Sequence, residues 1–343
     1  MSDINPGQSV VPPAEPLSPP APPAPPLGEL PAPRPTKLRI VAIVLFVLGL
    51  ILAALGVGGV LPGGIGTGAA FAVWGIILFA FSFIPLPRPS ASDEPPLPVW
   101  ERLLGTFYQP TRVFKNLRSN PRWLAAFLVV ATITAIYSIA FFRRLTPEVI
   151  VNYTMDKLEQ SPIKPPPDRM AQAKEDAMQQ AKQPVQRVQT VAKSYFNQFL
   201  LYSFVGALCM LGVLVFGGRI NFWQSFAAVI HAALPVVVVQ KLLSLLLLYI
   251  KDPADIHPIL NQEGLVQDNL GFFFAPADHP VLFVLGSAIG VLSFYGLWLR
   301  AKALMNAGYK VSSAAGWGTS ISLLVLGLML GAIFATLFSS FMS

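Results

Sequence analysis

The chain has 343 residues, of which 54% are hydrophobic and 12% are charged, and its mean hydropathy is +0.59. Soluble domains carry about twice that share of charge, so the composition excludes a soluble enzyme, a secreted disulfide scaffold and a wholly disordered chain. The net charge of +7 does not indicate nucleic-acid binding, because the basic residues border apolar runs instead of forming one stripe.

The first 36 residues are rich in proline and contain little apolar surface to bury. Proline lacks the N–H that helices and sheets use, so residues 1–36 are predicted to be a disordered cytoplasmic tail. Such a tail is either a solvated spacer or, through its PxxP spacings, a ligand for a protein partner. It does not have the basic start and short apolar core of a signal peptide.

Seven apolar runs follow, each close to the roughly 20 residues that a helix needs to cross a bilayer core of about 30 Å. A segment inside a bilayer must satisfy its backbone hydrogen bonds internally, so all seven runs are predicted to be helices. The fold class is therefore all-α, a polytopic membrane protein with about seven transmembrane helices. The runs are residues 38–61, 66–84, 123–142, 196–216, 225–249, 281–299 and 314–338.

Two proline-containing stretches divide these runs into modules. A tight Gly/Pro turn at residues 61–64 joins the first two runs, which predicts a two-helix transmembrane hairpin over 37–86. The proline-rich linker 87–98 then precedes a five-helix membrane domain over 99–343.

The longest predicted loop of the second domain, residues 143–195, contains a polar segment that is typical of helix. This segment covers residues 168–189 and is rich in Ala, Gln and Lys. Proline inside a helix removes a hydrogen bond, so the helix is predicted to be interrupted at Pro184.

Residues 99–122 show two short amphipathic patterns. The first places Trp100, Leu103, Leu104 and Phe107 on one helical face. The second opens at Pro110, with Val113, Phe114 and Leu117 on its apolar side. Its basic face consists of Arg112, Lys115, Arg118 and Arg122. This pattern favours an interfacial segment that contacts anionic lipid, while an ordinary anchor for the next span is the alternative.

The distribution of Lys and Arg predicts the orientation. If every run crosses the membrane, residues 99–122, 217–224 and 300–313 share the side that is rich in basic residues. Positive flanks face the cytoplasm, so the N-terminus is predicted to be cytoplasmic and the C-terminus extracytoplasmic, in an inner (plasma) membrane. Arg143 and Arg144 lie on the other side, but long loops carry little weight in this rule.

Lys241 is the most unusual polar residue within the apolar runs. A lysine near the middle of a bilayer costs roughly 3 kcal/mol, and no Asp or Glu occurs in any of the seven runs. One interpretation is that Lys241 snorkels or bonds to carbonyls freed by Pro235. The other is a polar intramembrane site that contacts a substrate or a lipid headgroup, formed by His231, Gln240 and Lys241.

The other candidate sites favour structural roles. The glycine run at residues 64–69 has dinucleotide-loop spacing but follows a membrane helix, so close helix packing through Gly64, Gly68 and Ala72 is predicted. His231, His257 and His279 lack metal-ligand spacing, and Cys209 is expected to be a buried apolar residue. We predict no catalytic residue, no metal site and no cofactor.

Several short motifs resemble the bacterial Yip1 domain over about residues 99–340. They are FYQPTRVF at 107–114, NPRW at 120–123, GG at 217–218, FWQSF at 222–226 and HAALP at 231–235. The resemblance implies a five-span integral membrane protein akin to eukaryotic factors that bind small GTPases and shape transport vesicles. The Asp-Leu-Tyr-Gly-Pro motif associated with that eukaryotic function is absent, so GTPase binding is not expected.

Together these observations predict a non-enzymatic membrane protein that acts through lipid organisation or partner recruitment. Its predicted partners are the lipid bilayer, in particular anionic lipids, and a protein that binds the proline-rich tail. The alternative is a transporter or channel component that uses Lys241, Gln240 and a kink at Pro235. The sequence predicts neither the oligomeric state nor the role of the 143–195 loop.

Overall fold

The computed structural model describes residues 37–58, 64–83, 95–160, 166–182, 184–276 and 278–337. These residues contain no β-strand, only the isolated bridges Arg219–Tyr309 and Asn269–Gly290. The described helices are α1 (Lys37–Val57), α2 (Gly64–Phe81), α3 (Val99–Tyr108), α4 (Pro110–Ser119), α5 (Leu124–Arg144), α6 (Pro147–Gln160), α7 (Pro167–Lys182), α8 (Pro184–Val215), α9 (Phe222–Ile250), α10 (Pro280–Ser287), α11 (Val291–Ala307) and α12 (Ser313–Leu337). The predicted tail, the tip of the hairpin turn and most of the linker lie outside the described residues.

Five of the described helices are long and apolar enough to cross a membrane. They are α1, α5, the second part of α8 from Ser194, α9 and α12. The all-α polytopic fold predicted from the sequence is therefore confirmed. In the second run, the described stretch Phe71–Ala80 is apolar but shorter than these criteria require.

The run at 281–299 is not one helix, so this prediction is wrong. It divides into α10 and α11, with a break that ends at Gly290 in extended conformation. Main-chain hydrogen bonds to the preceding loop replace the helical ones, since Leu270 donates to the Ile289 carbonyl at 3.0 Å. The Asp268 carboxylate caps the new helix by accepting from the Leu292 amide at 2.6 Å. Contacts with residues that are distant in the sequence therefore break the helix between α10 and α11.

The chain forms two compact units, Met1–Phe83 and Ile84–Ser343. In the first unit, α1 and α2 pack so closely at Gly49 and Gly68 that no side chain larger than hydrogen fits at these two positions. A Cβ atom added to Gly49 would lie 2.5 Å from the Ala72 nitrogen, and one added to Gly68 would meet Gly49 and Ala53. Small residues let membrane helices approach in this way. The packing role predicted for the glycine run is thus confirmed at Gly68.

In the second unit, α9 packs against α5, α8 and α11, while α12 packs against α8, α10 and α11. A capping box starts α9: the Asn221 side chain accepts from the Gln224 amide, and the Gln224 side chain accepts from the Asn221 amide. The helix then continues through Pro235 to Ile250. Helix α9 is therefore the central helix of this unit, and the candidate functional residues lie on α9 or on elements that pack against it.

The 143–195 region is helical over most of its described length. It contains α6, α7 and the start of α8. Helix α7 ends at Lys182 and α8 begins at Pro184, on either side of residue 183, which lies outside the described residues, so the interruption at Pro184 stays a prediction. Proline is favourable at the first position of a helix, where its missing N–H has no helical partner to bond.

Candidate functional site

The 251–276 segment folds back against α5 and α9 instead of extending into solvent. Ile256 and Leu265 are only 2% and 3% exposed, and they pack in one cluster with Tyr137, Phe141 and Leu248. Three short 3₁₀ turns shape the segment. A region that the sequence presents as a loop is therefore part of the core of the membrane domain.

Side chains of α5 and α9 bind the backbone of this segment. The Tyr137 hydroxyl donates to the Asn261 carbonyl at 2.6 Å. The Ser244 hydroxyl accepts from the amides of Leu265 and Val266 at 3.0 and 3.3 Å. Buried backbone groups outside a helix require such partners, because an unpaired N–H or C=O is costly away from water.

Lys241 provides the deepest of these anchors. Its side chain is almost fully buried, and its ammonium donates to the Glu263 carbonyl and lies 3.7 Å from the Glu263 carboxylate. The same ammonium is 4.9 Å from the centre of the Tyr137 ring. Lys241 lies nine residues before the end of α9, which corresponds to roughly 14 Å of helix.

These contacts correct two expectations about Lys241. The absence of acidic residues from the spans suggested an unpaired charge, but a carboxylate and a carbonyl are supplied by the 251–276 segment. The structure therefore supports neither snorkelling nor bonding to carbonyls freed by Pro235. The partner was missed because it lies 22 residues further along the chain, in a predicted loop.

The three residues predicted to form a polar intramembrane site do not come together. Gln240 lies beside the same turn as Lys241, since a Cβ added to Gly264 would be 3.5 Å from the Gln240 Nε2 atom. His231 is ten residues earlier in α9, or roughly 15 Å along the helix. Its buried ring bonds to the Ala227 carbonyl at 2.9 Å, within its own helix.

The apolar side of α4 also differs from its prediction. Val113, Phe114 and Leu117 were expected to enter the lipid headgroup boundary, but all three are at most 1% exposed. Phe114 and Leu117 pack into a cluster with alanines of α9 and α11. These small residues leave room for the larger side chains of α4, a complementarity that a single amphipathic pattern does not reveal.

The exposed apolar face belongs to α3 instead. Trp100 and Leu104 are 62% and 56% exposed, and Phe107 and Tyr108 are exposed beside them. The side chains of Arg112 and Lys115 on α4, and of Arg122 just after it, are also exposed. Arg112 lies 3.5 Å from Glu101, which connects α4 to α3. An aromatic face and a basic edge therefore lie on neighbouring helices.

Arg118 has a different role from the other three basic residues. Its Nε donates to the Asn306 carbonyl at 3.1 Å, and its guanidinium lies 5.4 Å from the centre of the Tyr309 ring. The Arg118 carbonyl accepts from the Gln224 side chain at 2.6 Å. Arg118 thus joins α4 to the start of α9 and to the end of α11.

Arg102 is a buried basic residue that the sequence analysis did not single out. It is 3% exposed, and its Nη1 donates weakly to the Arg122 carbonyl at 3.5 Å. Burial, together with the nearby charge of Arg122, lowers the pKa of Arg102. Arg102 shares the buried side of α3 with Gly105 and Thr106, opposite the apolar face, so the amphipathic pattern gave no signal of its burial.

The turns around 217–221 and 308–312 meet at the end of the unit that carries α4. Arg219 and Tyr309 exchange two main-chain hydrogen bonds, at 2.9 and 2.5 Å. The 251–276 segment follows the opposite end of α9. The three regions rich in basic residues, 99–122, 217–224 and 300–313, therefore lie at the same end of the second unit. The order of the apolar runs in the chain predicts the same arrangement.

The described residues contain no group of three or more His, Cys, Asp or Glu side chains that could hold a metal ion. His257 lies in the 251–276 segment, where its Nδ1 accepts from the amides of Ile259 and Leu260 at 3.2 and 3.0 Å. Its Nε2 is 3.0 Å from the Tyr153 hydroxyl of α6. This histidine therefore connects α6 to the segment.

Comparison with known proteins identifies one family. The family model described as the Yip1 domain matches residues 104–335, about two thirds of the chain. No curated protein and no solved structure matches the chain significantly. The matched region begins in α3 and ends in α12, so it includes Leu104, Phe107 and Tyr108 of α3 but not Trp100, together with α4 and the 251–276 segment. The chain is an integral membrane protein that belongs to the Yip1 domain family.

Proposed function

We propose that this protein is non-enzymatic and organises the membrane surface, with α3 and α4 contacting anionic lipid on the cytoplasmic leaflet. The observation that carries the proposal is the exposed aromatic face of α3, a helix that packs against α4 and whose Glu101 lies 3.5 Å from the exposed Arg112. The buried side of α4 holds this pair against the membrane domain. The helices are thus presented together without having to fold on the lipid.

The chemistry of the two faces suits a headgroup boundary. Trp and Tyr side chains are favourable at membrane interfaces, and Trp100 and Tyr108 supply one of each. Each Lys or Arg near an anionic surface contributes about 1 kcal/mol of attraction. With Arg118 bonded inside the protein, the proposed lipid contacts are Arg112, Lys115 and Arg122.

The orientation that this proposal requires places the α4 end in the cytoplasm. That end carries the basic regions, and such regions are retained on the cytoplasmic side. We propose an inner (plasma) membrane location with a cytoplasmic N-terminus and an extracytoplasmic C-terminus. The proline-rich residues 1–36 would then be available to a cytosolic partner.

Depth-dependent quenching tests the proposal on the full chain. A fluorophore attached at Leu104→Cys should be quenched by brominated lipid in proteoliposomes, while one at Gln172→Cys in α7 should not. The native Cys209 is buried and does not compete for the label. Replacing Arg112, Lys115 and Arg122 by Gln should reduce quenching by anionic brominated lipid more than by zwitterionic brominated lipid. Equal quenching at positions 104 and 172 would contradict the proposal.

A transport role is supported by one observation, the pairing of buried Lys241 with a carboxylate that is 95% exposed. An anionic substrate could displace the Glu263 carboxylate from Lys241. Uptake or efflux that is lost in Lys241→Met, with the fold and the lipid contacts of α3 retained, would favour this alternative. Ligand-dependent stabilisation in detergent, screened over ions and metabolites, is the complementary measurement.

A further inference from the structure

A groove runs between α5 and α9, near the ends of the two helices that lead into α6 and the 251–276 segment. Its volume is about 590 Å³, which lies within the usual range of about 300–1,000 Å³ for ligand sites. Ala140 and Leu245 are the less exposed lining residues, while Ile136, Leu246 and Tyr249 are strongly exposed. The groove is thus apolar, open to the surroundings and bounded by two predicted membrane spans.

Among the residues that the structure describes, Arg143 is the only charged one that lines this groove. On α5, Ile136, Ala140 and Arg143 are spaced four and then three residues apart, so they lie along one helical face over about 10 Å. The groove therefore starts between apolar side chains and ends at a guanidinium in the last turn of α5. This is the arrangement of an amphiphile site, with an apolar tail region and a cationic end.

The neighbouring arginine shows that Arg143 is not needed to hold the helix end in place. Arg144 donates from Nη2 to the Lys251 carbonyl at 3.2 Å, which connects α5 to the residue after α9. Arg143, in contrast, is exposed. The two arginines thus have separate positions, one bonded to the chain and one over the groove.

We propose that the α5–α9 groove binds one phospholipid, with an acyl chain between Ile136 and Leu246 and the phosphate on Arg143. Arginine matches a phosphate group well, because its planar guanidinium can donate two parallel hydrogen bonds. The described lining residues include no carboxylate that would compete for the guanidinium or repel an anion. The phospholipid belongs to the leaflet opposite the one proposed for α3 and α4, so the two proposals are independent.

Native mass spectrometry of the full chain in detergent tests this site. The delipidated protein is mixed with phosphatidylglycerol or with diacylglycerol that has the same acyl chains. The wild-type protein should retain one phosphatidylglycerol and bind diacylglycerol at least about tenfold more weakly, since the latter lacks the charge-assisted hydrogen bonds. Equal retention of both lipids would overturn the assignment of Arg143 to the phosphate.

Variants test the phosphate contact and the acyl-chain region of the site separately. Arg143→Gln should lose about tenfold in phosphatidylglycerol retention, and Arg143→Lys should lose less because it keeps the charge. Leu246→Trp, which fills the exposed side of the groove, should reduce retention of both lipids. Arg169→Gln, at an exposed position of α7, is the matched control and should retain phosphatidylglycerol as the wild type does.

A stability measurement covers the case in which a variant folds poorly. Phosphatidylglycerol should raise the melting temperature of the wild type and of Arg169→Gln, because a ligand that binds the folded state stabilises it. The rise should be smaller for Arg143→Gln, whatever its own melting temperature. The same rise for Arg143→Gln as for the wild type would refute the site.

Discussion

The buried ammonium of Lys241 in α9 donates a hydrogen bond to the backbone carbonyl of Glu263. This bond joins α9 to the 251–276 segment that follows it. The ammonium also lies near the Tyr137 ring and the Glu263 carboxylate. Lys241, Tyr137 and Ser244 thus hold one stretch of non-helical backbone between α5 and α9. A charge that is unfavourable in an isolated membrane helix here stabilises the tertiary structure.

Lys241→Met should lower the stability of the protein in detergent. The substitution removes the hydrogen bond from the Lys241 ammonium to the Glu263 carbonyl, and hydrogen bonds to charged groups contribute about 1.5–3 kcal/mol. Thermal unfolding followed by circular dichroism measures the change. Glu263→Gln is the matched control, since it keeps the carbonyl and removes an exposed charge worth no more than about 1 kcal/mol. A Lys241→Met protein as stable as the wild type would refute the anchoring role.

Ser244→Ala should loosen the 251–276 segment without disrupting the helices. The hydroxyl of Ser244 accepts from the amides of Leu265 and Val266, so its removal exposes both amides to exchange. Hydrogen exchange at these two amides should accelerate about tenfold or more, for a loss of about 1–3 kcal/mol. Thr336→Ala removes only a bond within α12 and should leave the exchange unchanged.

Phe114→Ala should destabilise the second unit by about 3–5 kcal/mol, because it leaves a cavity in the cluster between α4, α9 and α11. Trp100→Ala removes a larger side chain, but one that is 62% exposed, and should change unfolding in detergent much less. Chemical denaturation of both variants makes the comparison. An equal loss of stability in the two variants would contradict the finding that this side of α4 is buried while the aromatic face of α3 is exposed.

Tyr153 should make the protein less stable at high pH. Burial raises the pKa of the Tyr153 phenol, so the folded chain holds this proton after the unfolded chain, with a pKa of about 10, has released it. Stability contributed by Tyr153 is therefore present below about pH 10 and is lost as the pH rises towards the folded pKa. His257 and Lys157 both lie against the ring.

Tyr153→Phe removes the titrating group and should make the loss of stability between about pH 8 and pH 10.5 shallower. Melting temperatures of the two proteins at these pH values provide the measurement. Because Tyr153 contacts His257, the variant should also be less stable than the wild type at about pH 8. Parallel pH profiles for the two proteins would contradict the assignment.

Cysteine labelling in intact cells tests the orientation. Gln172→Cys should react with a membrane-impermeant reagent added outside, whereas Lys310→Cys should react only after the cells are opened. Both positions are exposed in the structure. Ala307, which lies in the same basic region, is unsuitable because it is fully buried and would not react from either side. Labelling of position 310 in intact cells would reverse the proposed topology.

Much of the fold follows from local properties of the sequence. Apolar runs of sufficient length determine that α1, α5, α8, α9 and α12 can cross a membrane, because each helix satisfies its own backbone. The predicted interruption at Pro184 has an equally local reason, since proline removes a helical hydrogen bond. The short motifs near α3 and α9 were sufficient to identify the Yip1 domain family.

The candidate sites depended on contacts between distant residues. The partner of Lys241 lies in a segment without a regular pattern, and the cluster that buries Phe114 is formed by alanines more than 100 residues later. Likewise, the break before α11 requires the Asp268 side chain and the main chain of Leu270. The sequence by itself determined which segments are helical and apolar, since this depends on backbone hydrogen bonding and residue spacing. Only the tertiary structure decided which faces contact lipid and which are buried, because burial depends on the size and polarity of whatever packs opposite.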